Sequence, residues 1–327
     1  MKRIAINGFG RIGRSSLKVI FENEDIELVG INDLMSIENA VFLLQYDSVY
    51  GKYDKKITTQ GDLIIIDDKP IKYTSIKDPG ELPWKDLNVD VVIESTGIFT
   101  NKSDAEKHIT AGASFVVISG PTKDTPTVVH GVNTQEGKVS IFSCASCTTN
   151  NISPIIEILG RRIGIKKAIL NTTHAYTASQ SLVDGPSKKE PRMGRAAGIN
   201  LAPAATGAAI ATTKALPQYL NKFDGVAVRV PVAVGSISDI TFISQRPTSV
   251  KEINDVLKEE SDSSRYREIV SVTDEPLVST DIRKSPFAAI VDLEMTRVVD
   301  GDLVKVMAWY DNEWGFTNQM IRQIRSL

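Results

Sequence analysis

Short apolar runs alternate with amphipathic segments through the first third of the chain. KRIAIN at 2–7 has the pattern of a buried strand, and RIGRSSLKVIFE at 11–22 that of a helix with Ile12, Ser16, Val19 and Ile20 near one face. IELVGIN at 26–32, VDVVIES at 89–95 and FVVIS at 115–119 repeat the strand pattern. These strands are continuously apolar rather than alternating, and helices separate them. That combination predicts a parallel sheet covered on both faces. After about residue 150 the pattern changes. VAVRVPV, SISDITFIS, FAAIVDL and LVKVMAWY are strands separated by turn residues with few helices, which predicts a second domain built on a mixed or antiparallel sheet. Residues 178–203 form a long polar segment rich in Gly and Pro, of a length that in a compact domain serves a function or an interface. GFTNQMIRQIRSL at 315–327 predicts a closing helix. The expected fold class is therefore α/β, a Rossmann-type parallel-sheet domain followed by an α+β domain.

The first strand runs into Gly8-Phe9-Gly10-Arg11-Ile12-Gly13, which opens the first helix. In such a turn Gly8 permits the tight bend, Gly10 lets a pyrophosphate approach the backbone, and Gly13 lets the helix pack on the strand. The unpaired N–H groups of the helix then face the anion. The second strand ends in Ile31-Asn32-Asp33. A carboxylate at that place accepts hydrogen bonds from ribose hydroxyls and repels a 2′-phosphate, so NAD is the expected cofactor rather than NADP. Ser95-Thr96-Gly97 and Ser119-Gly120-Pro121 follow later strands, at the carboxyl ends of the sheet where a ligand lies.

Both cysteines of the 327-residue chain fall within SCASCTTNN at 143–151. Cys147 stands between a strand and a helix start, with Ser146 as a good N-cap, and a thiol at a helix N-terminus has a lowered pKa. Pro154 falls inside the same helix and is expected to kink it. There are three histidines. His108, on the charged segment DAEKHITAG, reads as a surface residue. His130 and His174 each end a strand, and the residues alone leave both open as the general base. Cys144 and Cys147 have C-x-x-C spacing, which opens a redox reading for Cys144 beside that of a small buried residue.

The 38 basic residues nearly balance the 40 acidic ones, which gives no support for nucleic-acid binding. Two cysteines are too few for a disulfide framework or a cysteine-based zinc site, so a reducing, cytoplasmic setting and no metal are expected. No apolar run approaches the roughly 20 residues that span a bilayer, and the start lacks a signal-peptide pattern. There are no internal repeats and no low-complexity tract.

NGFGRIGR at 7–14, ASCTTN at 145–150, HAYTASQ at 174–180, DGPS at 184–187, TGAA at 206–209, RVP at 229–231 and YDNEWG at 310–315 resemble the glyceraldehyde-3-phosphate dehydrogenase family, in order and over essentially the whole chain. The resemblance implies phosphorylating oxidation of glyceraldehyde 3-phosphate through a thioester on Cys147, with His174 as the base. It implies an inorganic-phosphate site at Ser146, Thr148, Thr206 and Gly207. Thr177 and Arg229 would hold the substrate phosphate, with Arg192 or Arg195 nearby. At the cofactor it adds Arg11 and Ile12 at the pyrophosphate, Lys77 near the adenine, Ser119, and Asn312 on the nicotinamide carboxamide. It also implies a dinucleotide-binding domain over 1–147 with the helix 312–327 packed back on it, a catalytic domain over 148–311, and a homotetramer with the long loop at a subunit interface.

This chain departs from the common pattern at Cys144, Asn151 and Ile210, where the family usually has Asn, Cys and Lys, and at VPVAVGSIS. None removes a catalytic or phosphate-binding group. Thr177 and Gly207 favour the three-carbon substrate over erythrose 4-phosphate, and HAYT and RVP speak against a semialdehyde dehydrogenase.

Overall fold

The computed structural model describes residues 1–133, 139–187 and 190–327. Two members of the long polar loop, residues 188 and 189, lie outside the described residues. The chain divides into two compact units. One comprises Met1–Val128, Gln135–Ala145 and Met320–Leu327, the other Val129–Thr134 and Ser146–Gln319.

In chain order the first unit holds β1 (Lys2–Asn7), α1 (Arg11–Ile20), β2 (Ile26–Asn32), α2 (Ile37–Gln45), β3 (Tyr46–Asp47), β4 (Gly51–Lys52), β5 (Ile57–Gln60), β6 (Leu63–Ile66), β7 (Lys69–Thr74), β8 (Val91–Glu94), α3 (Lys102–Thr110), β9 (Phe115–Ile118) and β10 (Ile141–Ser143). Its main sheet has the order β10-β9-β8-β1-β2-β7-β6-β5. From β10 to β7 the neighbours run parallel, and β7, β6 and β5 pair antiparallel at one edge. Burial on both faces explains the unbroken apolar runs: every residue of β8 is buried, as are the last four of β1.

α1 is buried from Gly13 through Ile20 rather than along one stripe. The 46–53 segment covers its polar side. The Lys18 ammonium lies over the Tyr53 ring and 3.8 Å from the Asp47 carboxylate. The chain's C-terminus ties into this unit too, where Lys2 Nζ donates to the Ile324 carbonyl at 2.8 Å and Arg325 pairs with Asp25.

The second unit holds α4 (Cys147–Arg162), β11 (Ile165–Ala175), β12 (Ala202–Ala205), α5 (Ala208–Ala215), β13 (Phe223–Val230), β14 (Ser236–Ser244), α6 (Val250–Ser261), β15 (Val270–Thr273), β16 (Ala289–Val299), β17 (Leu303–Tyr310) and the start of α7 (Trp314–Arg325), whose residues from Met320 on belong to the first unit. Its sheet order is β12-β13-β11-β14-β17-β16-β15. The pairs β11/β13 and β15/β16 are parallel and the rest antiparallel, so the sheet is mixed. β14 alternates strictly between buried and half-buried positions, as a sheet with one core face requires. α4 runs through Pro154.

α6 goes beyond the expectation of few helices. Ser249 caps it by accepting from the Glu252 N–H at 3.2 Å, a local device that makes a helix of a strongly charged segment.

Candidate active site

The glycine-rich turn after β1 is built as its chemistry demands. Gly8 has φ +95°, and a Cβ there would lie 2.5 Å from the Thr96 nitrogen. A Cβ on Gly13 would strike the Gly8 carbonyl oxygen at 2.2 Å. A Cβ on Gly10 would meet nothing within 4 Å, so the backbone is open to a ligand at that point. Gly10 is the N-cap of α1 and supplies no side-chain cap, which leaves the first N–H groups of the helix for an anion.

Gly8, Gly10, Asp33 and Lys77 line one cavity of about 640 Å3, walled by Leu34, Pro79, Thr96 and Ile98 among others. The Asp33 carboxylate accepts from the Phe9 N–H at 2.6 Å and from the Met35 N–H at 3.0 Å. It thereby ties the end of β2 to the glycine turn, and each oxygen keeps a further lone pair for a hydroxyl donor. The cradle at Gly10, the uncapped helix and the carboxylate together fit a dinucleotide.

Two expected cofactor residues are engaged differently. Arg11 sends its guanidinium to Asp47 at 2.8 Å and over the Tyr50 ring, so its place at the start of α1 offers backbone rather than side chain. Ser119 donates its N–H to the Glu94 carbonyl at 2.9 Å at the end of β9. Ile12 is half-buried in the first turn of α1.

His108 is not a surface residue. It is fully buried on the inner side of α3, between the Trp84 indole and the Glu94 carboxylate. Charged neighbours in DAEKHITAG masked an inward face that only Ala105 and His108 share.

In the second unit, Ser146 caps α4 by accepting from the Thr149 N–H at 3.1 Å, a bond worth about 1 kcal/mol. Cys147 is therefore the first helical residue, and its Sγ lies 3.4 Å from His174 Nε2. His174 Nδ1 is 2.6 Å from the Ala175 carbonyl oxygen. Two contacts compete at Nδ1: the Ala175 oxygen pairs with a protonated Nδ1, which leaves Nε2 bare toward the sulfur, whereas the Arg229 guanidinium, a donor only, pairs with a bare Nδ1. Arg229 reaches the same edge, with Nη1 2.6 Å from His174 Nδ1 and 3.1 Å from the Ala175 oxygen, to which it donates.

Burial, and then Arg229, depress the imidazole to about 4. Burial pushes the Cys147 thiol up, opposed by Arg229, the Thr148 hydroxyl and backbone N–H groups. The lowered thiol pKa expected of a helix N-terminus is thus outweighed by desolvation. Thiol and imidazole rest as a neutral pair.

The Thr148 hydroxyl bonds the Tyr310 hydroxyl at 2.9 Å, which in turn meets the Thr172 hydroxyl at 2.9 Å. The Tyr310 ring stands edge-on to His174. Tyr310 was legible only as the first letter of YDNEWG. Nothing local in the sequence marks its contact with Thr148, 162 positions away.

The remaining expected phosphate ligands spread along the loop and strand ends. The Thr177 hydroxyl meets Ser179, Thr206 accepts from the Ala208 N–H at 3.2 Å, and Gly207 caps α5. Arg192 is exposed and donates to the Pro203 carbonyl. Asn312 is fixed by its oxygen, which accepts from the Gly235 N–H and the Ser236 hydroxyl. Arg229 Nε is buried without a hydrogen-bond partner among the described residues. No group of side chains suited to a metal ion occurs among the described residues.

Two domain models of one family match the chain. Residues 2–102 match the NAD binding domain of glyceraldehyde 3-phosphate dehydrogenase and residues 146–312 its C-terminal domain. The chain belongs to the glyceraldehyde-3-phosphate dehydrogenase family.

The glyceraldehyde-3-phosphate dehydrogenase of Thermotoga maritima is 46% identical over 332 residues, covering 100% of this chain and 99% of its own. That of Zymomonas mobilis is 44% identical over 325 residues, covering 98% and 96%. That of Bacteroides fragilis is 41% identical over 329 residues, covering 99% and 98%. The part of the chain that matches the NAD binding domain includes Gly8, Gly10 and Asp33 of the cavity lining.

Proposed function

We propose that this chain oxidises glyceraldehyde 3-phosphate to 1,3-bisphosphoglycerate with NAD and inorganic phosphate. The observation that carries the reading is Cys147 Sγ at 3.4 Å from His174 Nε2 at the head of α4, with the Arg229 guanidinium beside them.

The chemistry follows from the neutral pair. As the thiol attacks the aldehyde carbon, Nε2 takes its proton. The oxygen that gains charge is served by the Cys147 backbone N–H, free of intrahelical partners at the first position of α4. His174 returns that proton to the oxyanion to give the hemithioacetal, and takes it back from the hydroxyl as the hydride leaves carbon. NAD, when bound, accepts the hydride. The product is a thioester on Cys147, which inorganic phosphate cleaves, returning the sulfur for the next cycle. The Arg229 guanidinium suits the substrate's phosphate, together with Thr177 and Arg192. Ser146, Thr148, Thr206 and Gly207 suit the attacking phosphate. Asn312, its oxygen already held, has its amide N–H groups to offer the carboxamide of the cofactor.

The assembly we favour is a homotetramer. Ile169, Ile210, Leu220 and Leu303 are exposed apolar residues around a groove of about 780 Å3, and Leu182, Val183, Ile199 and Leu201 stand exposed along the long loop. The setting we favour is the cytoplasm, in keeping with two free cysteines. No helix among the described residues is long and apolar enough to cross a membrane.

The test is absorbance at the NADH band with purified protein, the phosphorylated aldehyde, inorganic phosphate and either NAD or NADP. Turnover that requires phosphate and prefers NAD is expected. Equal rates with NADP, or none with either, contradict the reading.

A further inference from the structure

A buried polar network lies beneath the NAD cavity, and the reaction described above leaves it unused. Its hub is Glu94, the last residue of β8, which is 2% exposed. One carboxylate oxygen accepts from the Thr96 N–H at 2.8 Å and the Thr96 hydroxyl at 2.5 Å. The other accepts from Asn7 Nδ2 at 2.6 Å and faces His108 Nε2 at 3.1 Å. The Trp84 indole can only donate, and it donates to His108 Nδ1 at 2.9 Å. The His108 proton therefore sits on Nε2 and is given to Glu94.

Four donors fill the acceptor positions of the carboxylate, and the pattern leaves one direction for every bond beyond it. Asn7 spends its amide nitrogen on Glu94, so its oxygen accepts from Asn32 Nδ2 at 2.8 Å. The Asn32 oxygen then accepts from the Thr74 hydroxyl and the Ile76 N–H, both at 2.9 Å. Asn7 immediately precedes Gly8, and Asn32 immediately precedes Asp33. Asn7, Asn32, Ile76 and Thr96 all line the cavity.

We infer that Glu94 is a positioning residue for NAD: through His108, Asn7, Asn32 and Thr96 it fixes the floor of the cavity in the one polarity that holds Gly8, Asp33 and Thr96 in place for the dinucleotide. It touches no reacting atom. A carboxamide at this position keeps the size and loses the logic, because its NH2 must face donors on Asn7 and His108. Each can turn only by breaking its bond to Asn32 or Trp84.

The inference rests on the family's NAD site and is separable from the assignment of the thiol chemistry. The test titrates purified wild type, Glu94→Gln and Thr96→Val with NAD by calorimetry. Alkylation of Cys147 by iodoacetamide is followed in the NAD-free proteins. Glu94→Gln is expected to weaken NAD binding by about tenfold or more, the effect of disrupting charge-assisted hydrogen bonds. Thr96→Val, which removes one hydroxyl, is expected to weaken it by about threefold. The KM for NAD rises in parallel, while the Cys147 alkylation rate of the NAD-free proteins stays at the wild-type value. Dissociation constants within about twofold of wild type in a folded variant overturn the inference. So does a loss of NAD affinity matched by an equal change in Cys147 alkylation, which marks general unfolding. Should Glu94→Gln not fold, Thr96→Val decides by the same criteria.

Discussion

His174 and Arg229 are register partners in the parallel pair β11/β13, and this puts the guanidinium Nη1 2.6 Å from the imidazole Nδ1. One cation thus serves two ends. It lowers both the imidazole and the thiol. Arg229→Ala is expected to shift the pH profile of Cys147 alkylation to higher pH, since a thiolate that loses a neighbouring cation is harder to form. It is also expected to raise the KM for glyceraldehyde 3-phosphate far more than for plain glyceraldehyde. Equal losses on both substrates with an unmoved alkylation profile would count against this role.

Cofactor choice should follow Asp33. Its carboxylate holds the Phe9 and Met35 N–H groups and faces the cavity. Asp33→Asn keeps an acceptor oxygen and loses the charge. NAD affinity is expected to fall by about tenfold, the effect of losing a charge-assisted bond, while NADP gains ground because the repulsion of a 2′-phosphate is gone. Paired dissociation constants for the two cofactors check this. An unchanged ratio would show that discrimination lies elsewhere.

Acid stability should carry a His174 signature. Its folded pKa is depressed to about 4 from an ordinary 6.5. Below the ordinary value the unfolded chain takes up a proton that the folded one refuses. Stability from this group is therefore full above about pH 6.5 and is lost as pH falls toward 4, with no further loss below. Denaturant midpoints of wild type and His174→Asn between neutral pH and pH 4.5 measure it. Wild type should lose more stability over that interval than the variant. Parallel curves would refute the assignment.

Cys144 should stay reduced. It is 2% exposed at the end of β10, and burial pushes its thiol up to about 12, which denies it the thiolate a resolving cysteine needs. After mild peroxide and digestion without reductant, sulfinic or sulfonic acid is expected on Cys147 and a free thiol on Cys144. A peptide linking the two, with activity restored by dithiothreitol, would reinstate the redox reading.

Much of this was legible in the sequence because the signals are local. Gly8 and Gly13 announce backbone approaches that no side chain tolerates, and Ser146 announces a helix start. The doubly buried β1, β2, β8 and β9 announce a parallel sheet. What stayed hidden depends on distant partners. His108 looked solvated because its neighbours in sequence are charged, while Trp84 and Glu94, which enclose it, lie far along the chain. Nor could the residues alone choose between His130 and His174, since the approach of His174 Nε2 to Cys147 Sγ at 3.4 Å depends on the packing of α4 against β11. At the sheet edge β6 is an unbroken apolar run, and its turn into β7 is marked by Asp67 and Asp68, both at positive φ. Desolvation of the thiol was equally out of reach, because burial is a property of the packed unit and not of SCASCTTNN.

In the proposed chemistry Cys147 and His174 act as one unit, sulfur to Nε2. The most direct measurement is the first-turnover burst of NADH in wild type, His174→Asn and His130→Asn, with enzyme in excess over aldehyde. His174→Asn is expected to slow the burst by about two to four orders of magnitude, the usual contribution of a general base, and His130→Asn to leave it near wild type. A burst that survives in His174→Asn and vanishes in His130→Asn would contradict it.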